Sequence, residues 1–310
     1  MKRFNTFVIL IAVLFFFGCA GGNAVKQKPD HIISGMKEIK KGTAWYQKGC
    51  YKRSLEHFFR AHELFAASDQ LDGVAMSMNN IGNIYRIMEE IDSSLLFFEE
   101  SIGIYQDIKD YSGLVQALSN KAAVLIDSDK LEEAAGVLKS AEDIAQKNSI
   151  SANHILNKLG VIFIKKKEYG RAEEILNTAL ANIDPDNQPE YAAVNFAFGI
   201  LMRETGRYEK AVYFFNIALD TDRLSGFHKG IADDLAAIGD IDFSQGKYEQ
   251  AANYFKRSIK IYALIENRNK VSEIMDRLVK AAEKASLDIS VTEHFVKNWL
   301  EGKAFESPCN

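Results

Sequence analysis

The sequence predicts an all-α solenoid, on three observations. One pattern of small and large apolar residues recurs six times between about Ser34 and Asn269. Within each copy the pattern advances by three and four residues, the spacing that lines up one face of a helix. The chain holds only four prolines, Pro29, Pro185, Pro189 and Pro308. None falls inside a predicted helix, as an all-α reading requires, and no strand is evident.

The six copies align on a small residue in the middle of each first helix: Gly42, Gly82, Ala122, Gly160, Gly199 and Gly239, in steps of 38 to 40 residues. Seven positions on stands a turn residue: Gly49, Glu89, Asp129, Lys167, Gly206 or Gly246. A bulky apolar group follows (Tyr51, Ile91, Leu131, Tyr169, Tyr208, Tyr248), then a small residue (Ser54, Ser94, Ala134, Ala172, Ala211, Ala251). A large apolar side chain comes next (Phe58, Phe98, Leu138, Leu176, Phe215, Phe255), and a small one closes the set (Ala61, Ser101, Ala141, Ala179, Ala218, Ser258). Small residues let two helices approach at their crossing, and large ones fill the space beside it. No single hairpin can bury its apolar face, so the hairpins must stack.

This pattern resembles the tetratricopeptide repeat family. Gly82 to Tyr85 carry the likeness in one helix, and Tyr208, Ala211, Phe215 and Ala218 carry it in another. The resemblance covers roughly three quarters of the chain and implies a right-handed superhelix of six helix hairpins with C-terminal capping helices. The unit here is longer than the family's usual 34 residues or so, and only one copy ends near a proline, Pro185. Both helices of each hairpin are therefore expected to be about a turn longer, which deepens the inner groove.

Ahead of the repeats, residues 1–18 read as a secretory leader. Lys2 and Arg3 are positive, and Phe7 to Phe17 is an apolar run too short to span a bilayer as a helix. Gly18 and Cys19 resemble a bacterial lipoprotein cleavage site, which implies that Cys19 becomes the lipidated first residue. Phe16 and Phe17 depart from that pattern, and the alternative is an ordinary signal peptide cut elsewhere. Ala20 after the cysteine resembles outer-membrane sorting, so the expected place is the bacterial envelope, facing the periplasm. Residues 19–30 have the composition of a flexible tether, and Asp30 could cap the first helix.

Residues 31–270 hold the six repeats. Residues 271–300 are expected to cap the array, with Leu278, Ala282 and Ala285 in a seventh first-helix register and Phe295 and Trp299 packing back. Residues 301–310 read as a frayed tail. Cys50 reads as a structural thiol and Cys309 as a loose one, since they lie at opposite ends of a solenoid. A bridge between them would need the tail to fold back.

Composition excludes several functions. The formal charge is −4, and loss of Lys2 and Arg3 with the leader makes it −6. A mildly acidic chain is a poor partner for nucleic acid or anionic lipid. No metal or cofactor is expected: His57 and His62 are five apart and read as solvated helix surface. Glu99 and Glu100, Glu132 and Glu133, and Asp233 and Asp234 also read as solvated faces. No nucleophile elbow or phosphate loop occurs, so the chain is not read as an enzyme and no small-molecule substrate is expected.

The family resemblance places groove-lining positions on the first helix of each hairpin. Asn79, Asn80, Asn83 and Arg86 fall there in the second repeat, Asn120 in the third, and Asn157 and Lys158 in the fourth. A primary amide donates and accepts at once, so a row of them can hold a peptide backbone without reading its sequence. The same amides could instead bond between neighbouring helices. Capture of a C-terminal carboxylate is not favoured, because Asn79 and His154 occupy positions the family's clamp fills with bases. Phe196, Ile200, Arg203, Asp233, Asp240 and Phe243 form a mixed apolar and acidic continuation. The expected function is a membrane-anchored scaffold that holds a peptide or partner protein in an envelope assembly, secretion or pilus complex. The alternative is a regulatory subunit of an envelope enzyme such as a cell-wall hydrolase or synthase.

Overall fold

The computed structural model describes residues 30–184 and 186–309. The leader, Cys19, the tether up to Pro29, and Pro185 lie outside the described residues. The described residues form fourteen helices and no strand: α1 (Asp30–Gln47), α2 (Tyr51–Ala66), α3 (Leu71–Ile87), α4 (Ile91–Asp107), α5 (Tyr111–Asp127), α6 (Leu131–Lys147), α7 (Asn153–Lys165), α8 (Tyr169–Asn182), α9 (Gln188–Glu204), α10 (Tyr208–Ser225), α11 (His228–Ser244), α12 (Tyr248–Leu264), α13 (Arg268–Ala285) and α14 (Ser290–Leu300). Helices α1 to α12 pair as six successive hairpins, each packed on the next. Asp30 lies inside the first turn of α1 rather than capping it from outside. Pro189 occupies the first turn of α9, where its missing N–H costs nothing.

Each expected turn residue adopts the left-handed conformation that reverses the chain. The φ values are 74° at Gly49, 63° at Glu89, 59° at Asp129, 61° at Lys167, 72° at Gly206 and 76° at Gly246. Three of the six carry a side chain there, at a cost of about 1–2 kcal/mol each. The turn recovers part of this by satisfying helix-end carbonyls. Glu90 N–H donates to Tyr85 at 2.9 Å, Lys130 to Leu125 at 2.8 Å and Glu168 to Phe163 at 2.8 Å.

The small residues sit where helices cross. A Cβ on Gly199 would fall 2.5 Å from the Phe215 ring, and one on Gly42 2.5 Å from Phe58. Ser54 Oγ donates to the Gly42 carbonyl at 2.7 Å, and Ser94 Oγ to the Gly82 carbonyl at 2.8 Å. Phe58, Phe98, Leu138, Leu176, Phe215 and Phe255 are all buried. The repeated pattern is thus the packing core of every hairpin.

The array winds far enough for its ends to meet. His228 Nδ1 lies 3.0 Å from the Lys48 carbonyl, and Asn269 donates to Glu89 at 2.8 Å. Lys52 pairs with Glu266 at 3.2 Å, and the Tyr46 and Phe227 rings stack with centroids 6.0 Å apart. This closure overturns the expectation of free thiols: Cys50 and Cys309 form a disulfide. It also corrects the frayed tail. Its last residues are fastened to the joined ends: Cys309 bonds Cys50, and Ser307 Oγ donates to the Leu264 carbonyl at 3.2 Å. Distance along the repeat axis misled the sequence reading, because superhelical winding returns the last repeat to the first.

At the C-terminus, α13 continues the stack and buries Leu278 and Ala282, with Ala285 half-buried. In α14 the inward face is Thr292 and Val296, with Trp299 partly buried against the core. Phe295 does not pack back as expected. It is 43% exposed and covers Trp299 from outside, because Val296 rather than Phe295 occupies the inward register. His57 and His62 are not solvated either. His57 Nδ1 lies 2.6 Å from Glu38 Oε2 of α1, and His62 Nδ1 is buried without a partner. Asp234 is buried and Asp233 half-buried, against the solvated face expected of both. Close packing of α11 on α10 and α12 encloses them.

Candidate functional site

The first helices α3, α5, α7, α9 and α11 present polar side chains to a shared inner channel. Their identities follow from the repeat register: positions that would meet a neighbouring hairpin are small or apolar, and those left over are Asn, Lys, Arg and Asp.

Asn79 of α3 and Asn120 of α5 are buried and bonded to one another. Asn120 Nδ2 donates to Asn79 Oδ1 at 3.1 Å, and Gln116 Nε2 donates to Asn120 Oδ1 at 3.2 Å. This pair ties two adjacent repeats together. Asn80 and Asn83 are half-buried and donate to carbonyls of their own helix, Met76 at 3.0 Å and Asn79 at 3.1 Å. Their side-chain oxygens have no hydrogen-bonded donor among the described residues. Asn157 of α7 is half-buried, and its Oδ1 is enclosed without a donor.

Arg86 of α3 donates from Nη1 to Asp127 at 2.8 Å, while its Nε is enclosed and unpartnered. Lys158 of α7 is half-buried, and burial together with the Arg86 charge pulls its ammonium down to about 8. Glu190 and Asp127 oppose that shift. Burial and then the Lys158 charge lower His154 to about 4, so its ring is neutral at physiological pH.

Across the channel, Lys229 bonds Asp233 at 2.5 Å, and the Tyr262 hydroxyl donates to the same carboxylate. Burial drives the Tyr262 and Tyr51 hydroxyls up, out of the titrating range. Asp240 joins Arg277 at 2.8 Å and Arg203 at 3.8 Å. The acidic continuation is therefore largely neutralised by its own cations. Phe196, Ile200 and Phe243 are half-buried beside it.

Sequence reasoning missed Tyr46, Tyr51, Lys229 and Tyr262. Tyr46 occupies the same register position in repeat one as Arg86 in repeat two, so the spacing could have found it. Lys229 precedes the register window by about a turn, and Tyr51 and Tyr262 belong to second helices. Tyr51 comes from the hairpin packed on α3, and the winding brings Lys229 within electrostatic reach of Arg86.

Two tetratricopeptide repeat models match this chain, over residues 74–108 and 199–263. Among curated proteins, it is 24% identical over 188 residues to kinesin light chain-related protein 1 of Arabidopsis thaliana, covering 58% of this chain and 31% of that protein. It is 22% identical over 256 residues to the anaphase-promoting complex subunit CDC16 of Saccharomyces cerevisiae, covering 81% of this chain and 28% of that one. The chain thus spans about a third of the length of the curated relatives it matches. Among solved structures, a Rap protein complexed with competence and sporulation factor superposes with TM-score 0.58 and 16% identity, over 84% of this chain and 77% of that one. The Rap conjugation gene regulator of plasmid pLS20, in complex with the Phr* peptide, gives 0.59 and 15%, over 94% and 83%. At these identities the likeness is one of fold.

Proposed function

Because the chain is a tetratricopeptide-repeat protein, we propose that its inner channel binds an extended peptide segment of a partner and holds it at the bacterial envelope. Arrays of this kind use their concave surfaces for protein interaction. The observation that carries the reading is the row of half-buried amides, Asn80, Asn83 and Asn157, whose side-chain oxygens meet no donor within the fold. Such oxygens accept backbone N–H groups from any extended chain. Asn79 and Asn120 act behind them by fixing two repeats in register, and Arg86 and Lys158 supply positive charge alongside. The fold shared with a Rap regulator that binds the Phr* peptide supports the same use of the channel.

Membrane attachment through Cys19 belongs to the same proposal. The Cys50–Cys309 disulfide supports it, since such bonds persist outside the reducing cytoplasm.

Affinity capture from detergent-solubilised envelope tests both parts. The wild-type chain should retain a discrete partner that Asn83→Ala/Asn157→Ala releases with helicity unchanged. Cys19→Ser should move the protein from the membrane to the soluble fraction. Equal capture by the double variant would refute the channel as the site, and an unmoved Cys19 variant would refute the anchor.

A further inference from the structure

One cation of the channel has no anion in direct contact among the described residues. Arg86 is paired with Asp127, Lys229 with Asp233, and Arg203 and Arg277 with Asp240. Lys158 alone among these half-buried channel cations makes no hydrogen bond or ion pair among the described residues. His154 lies four positions before it, on the same face of α7, and Asn157 immediately before it. Three enclosed polar atoms of its neighbours have no partner: His154 Nε2, Asn157 Oδ1 and Arg86 Nε. Enclosed polar groups are normally satisfied, so a cluster of them around a lone cation marks an absent partner.

The chemistry of that partner can be read from the orphaned atoms. Lys158 Nζ and Arg86 Nε can only donate, and Asn157 Oδ1 can only accept. The site therefore asks for an anionic oxygen group with an N–H close beside it. It also limits the charge. Asp127 and Glu190 both lie within the electrostatic reach of Lys158 and would repel a dianion such as phosphate. Arg86 takes up the Asp127 charge and burial pushes Glu190 up toward its neutral form, so one carboxylate offsets the Lys158 ammonium.

Resting on the reading of the channel as a peptide site, we infer that the bound segment carries an acidic side chain whose carboxylate seats against Lys158 and Arg86, with Asn157 accepting a neighbouring backbone N–H. An aspartate or glutamate within an extended chain offers both groups at the required closeness. The terminal carboxylate of a peptide has the same charge, and the test separates the two sources.

The full chain, purified in detergent, is used to select from a random octapeptide library acetylated and amidated at its ends, and in parallel from one with free C-termini. Blocked peptides should be retained with Asp or Glu enriched at one position. Replacing that residue by Asn or Gln should weaken a selected peptide about ten-fold, the effect of one charge-assisted hydrogen bond. Lys158→Met should produce the same loss, with no further loss on the neutral peptide, and Lys158→Arg should restore binding. Circular dichroism of each variant guards against unfolding. Blocked peptides retained without acidic enrichment would overturn the inference while leaving the peptide-binding reading intact. Retention of free C-termini alone, with no internal acid, would overturn the side-chain source. Retention of nothing from either library would overturn the peptide-binding reading itself.

Discussion

Cys50, at the head of α2, and Cys309, in the tail, are joined by a disulfide across 259 residues of sequence, with Cα atoms 5.2 Å apart. The bond fastens the first repeat to the far end of the array and closes the wall around the channel. A cross-link over so long a loop restricts the unfolded chain strongly, and removal of such bonds typically costs about 2–4 kcal/mol. Reductant should therefore lower the melting temperature of the wild-type chain, and Cys309→Ser should melt at the reduced value whether or not reductant is present. Hydrogen exchange should show the loss concentrated in α1, α2 and residues 301–309, because repeat arrays open locally. A melting temperature indifferent to both changes would mean that the noncovalent seam, Lys52 with Glu266 and Asn269 with Glu89, holds the ends alone.

Every crossing sets a small residue against a large one. Gly42, Gly82, Gly199 and Gly239 face Phe58, Phe98, Phe215 and Phe255, Gly160 faces Leu176, and Ala122 occupies the repeat-three crossing opposite Leu138. A Cβ at Gly199 would come within 2.5 Å of a ring that is fully buried and cannot yield. Gly199→Ala should thus destabilise by about 1–3 kcal/mol, the overpacking cost exceeding the gain in helix propensity of about 1 kcal/mol. Gly82→Ala, with its nearest contact at 2.9 Å, should cost less. Adding Phe215→Leu to Gly199→Ala recreates the repeat-three pair and should recover much of the loss in thermal melts. No recovery would show that ring size does not govern the crossing.

These crossings explain why the hairpins were legible in the sequence. The turn residues and the small and large core positions are local, and six copies state them redundantly. Glu89 and Lys167 share the left-handed turn of Gly49 although nothing in their own chemistry asks for it; the register alone identifies them. The channel was legible only in part. Register found the amides, yet it could not say that Asn79 and Asn120 would satisfy one another while Asn157 would not. The joined ends were illegible, since the pitch of the superhelix comes from small rotations at every crossing. Asp233 and Asp234 looked like solvated surface because adjacent acids carry no sign of the packing of α10 and α12 that encloses them.

Asp222 and Asp234 are enclosed between α10 and α11 with no cation in contact, and one Asp234 oxygen has no partner. Burial, then the neighbouring carboxylates, pushes Asp234 up to about 9; burial and Asp233 push Asp222 up to about 7. In the unfolded chain both titrate near 3.9. Stability from the protonated forms is thus complete below about pH 4 and falls as pH rises through the folded-state values. Each proton held by the fold and lost on unfolding contributes a slope of about 1.4 kcal/mol per pH unit. The melting temperature should fall steadily between pH 6 and pH 9, and Asp234→Asn should flatten that fall and raise stability at pH 9. An unchanged slope in the variant would place the alkaline sensitivity elsewhere.

Asn120 and Asn83 both fall on groove positions, two before and one after the small residue of their repeats, but the fold uses them differently. Asn120→Ala strips a donor from Asn79 Oδ1 and an acceptor from Gln116, inside the wall of the channel. Leaving such groups unmet costs about 1–3 kcal/mol. Asn83→Ala removes only a bond to the carbonyl of its own helix and should change stability by no more than about 0.5 kcal/mol. Replacing Asn79 and Asn120 together by Leu removes both partners at once, so the double variant should lose less than the sum of the two single Ala changes. Urea unfolding measures all four variants, with partner capture as the parallel readout. The expected pattern is that Asn83→Ala weakens capture at full stability, while Asn120→Ala weakens the fold first. If Asn120→Ala left stability intact and abolished capture, Asn120 would be a direct contact to the peptide and the Asn79 pairing incidental.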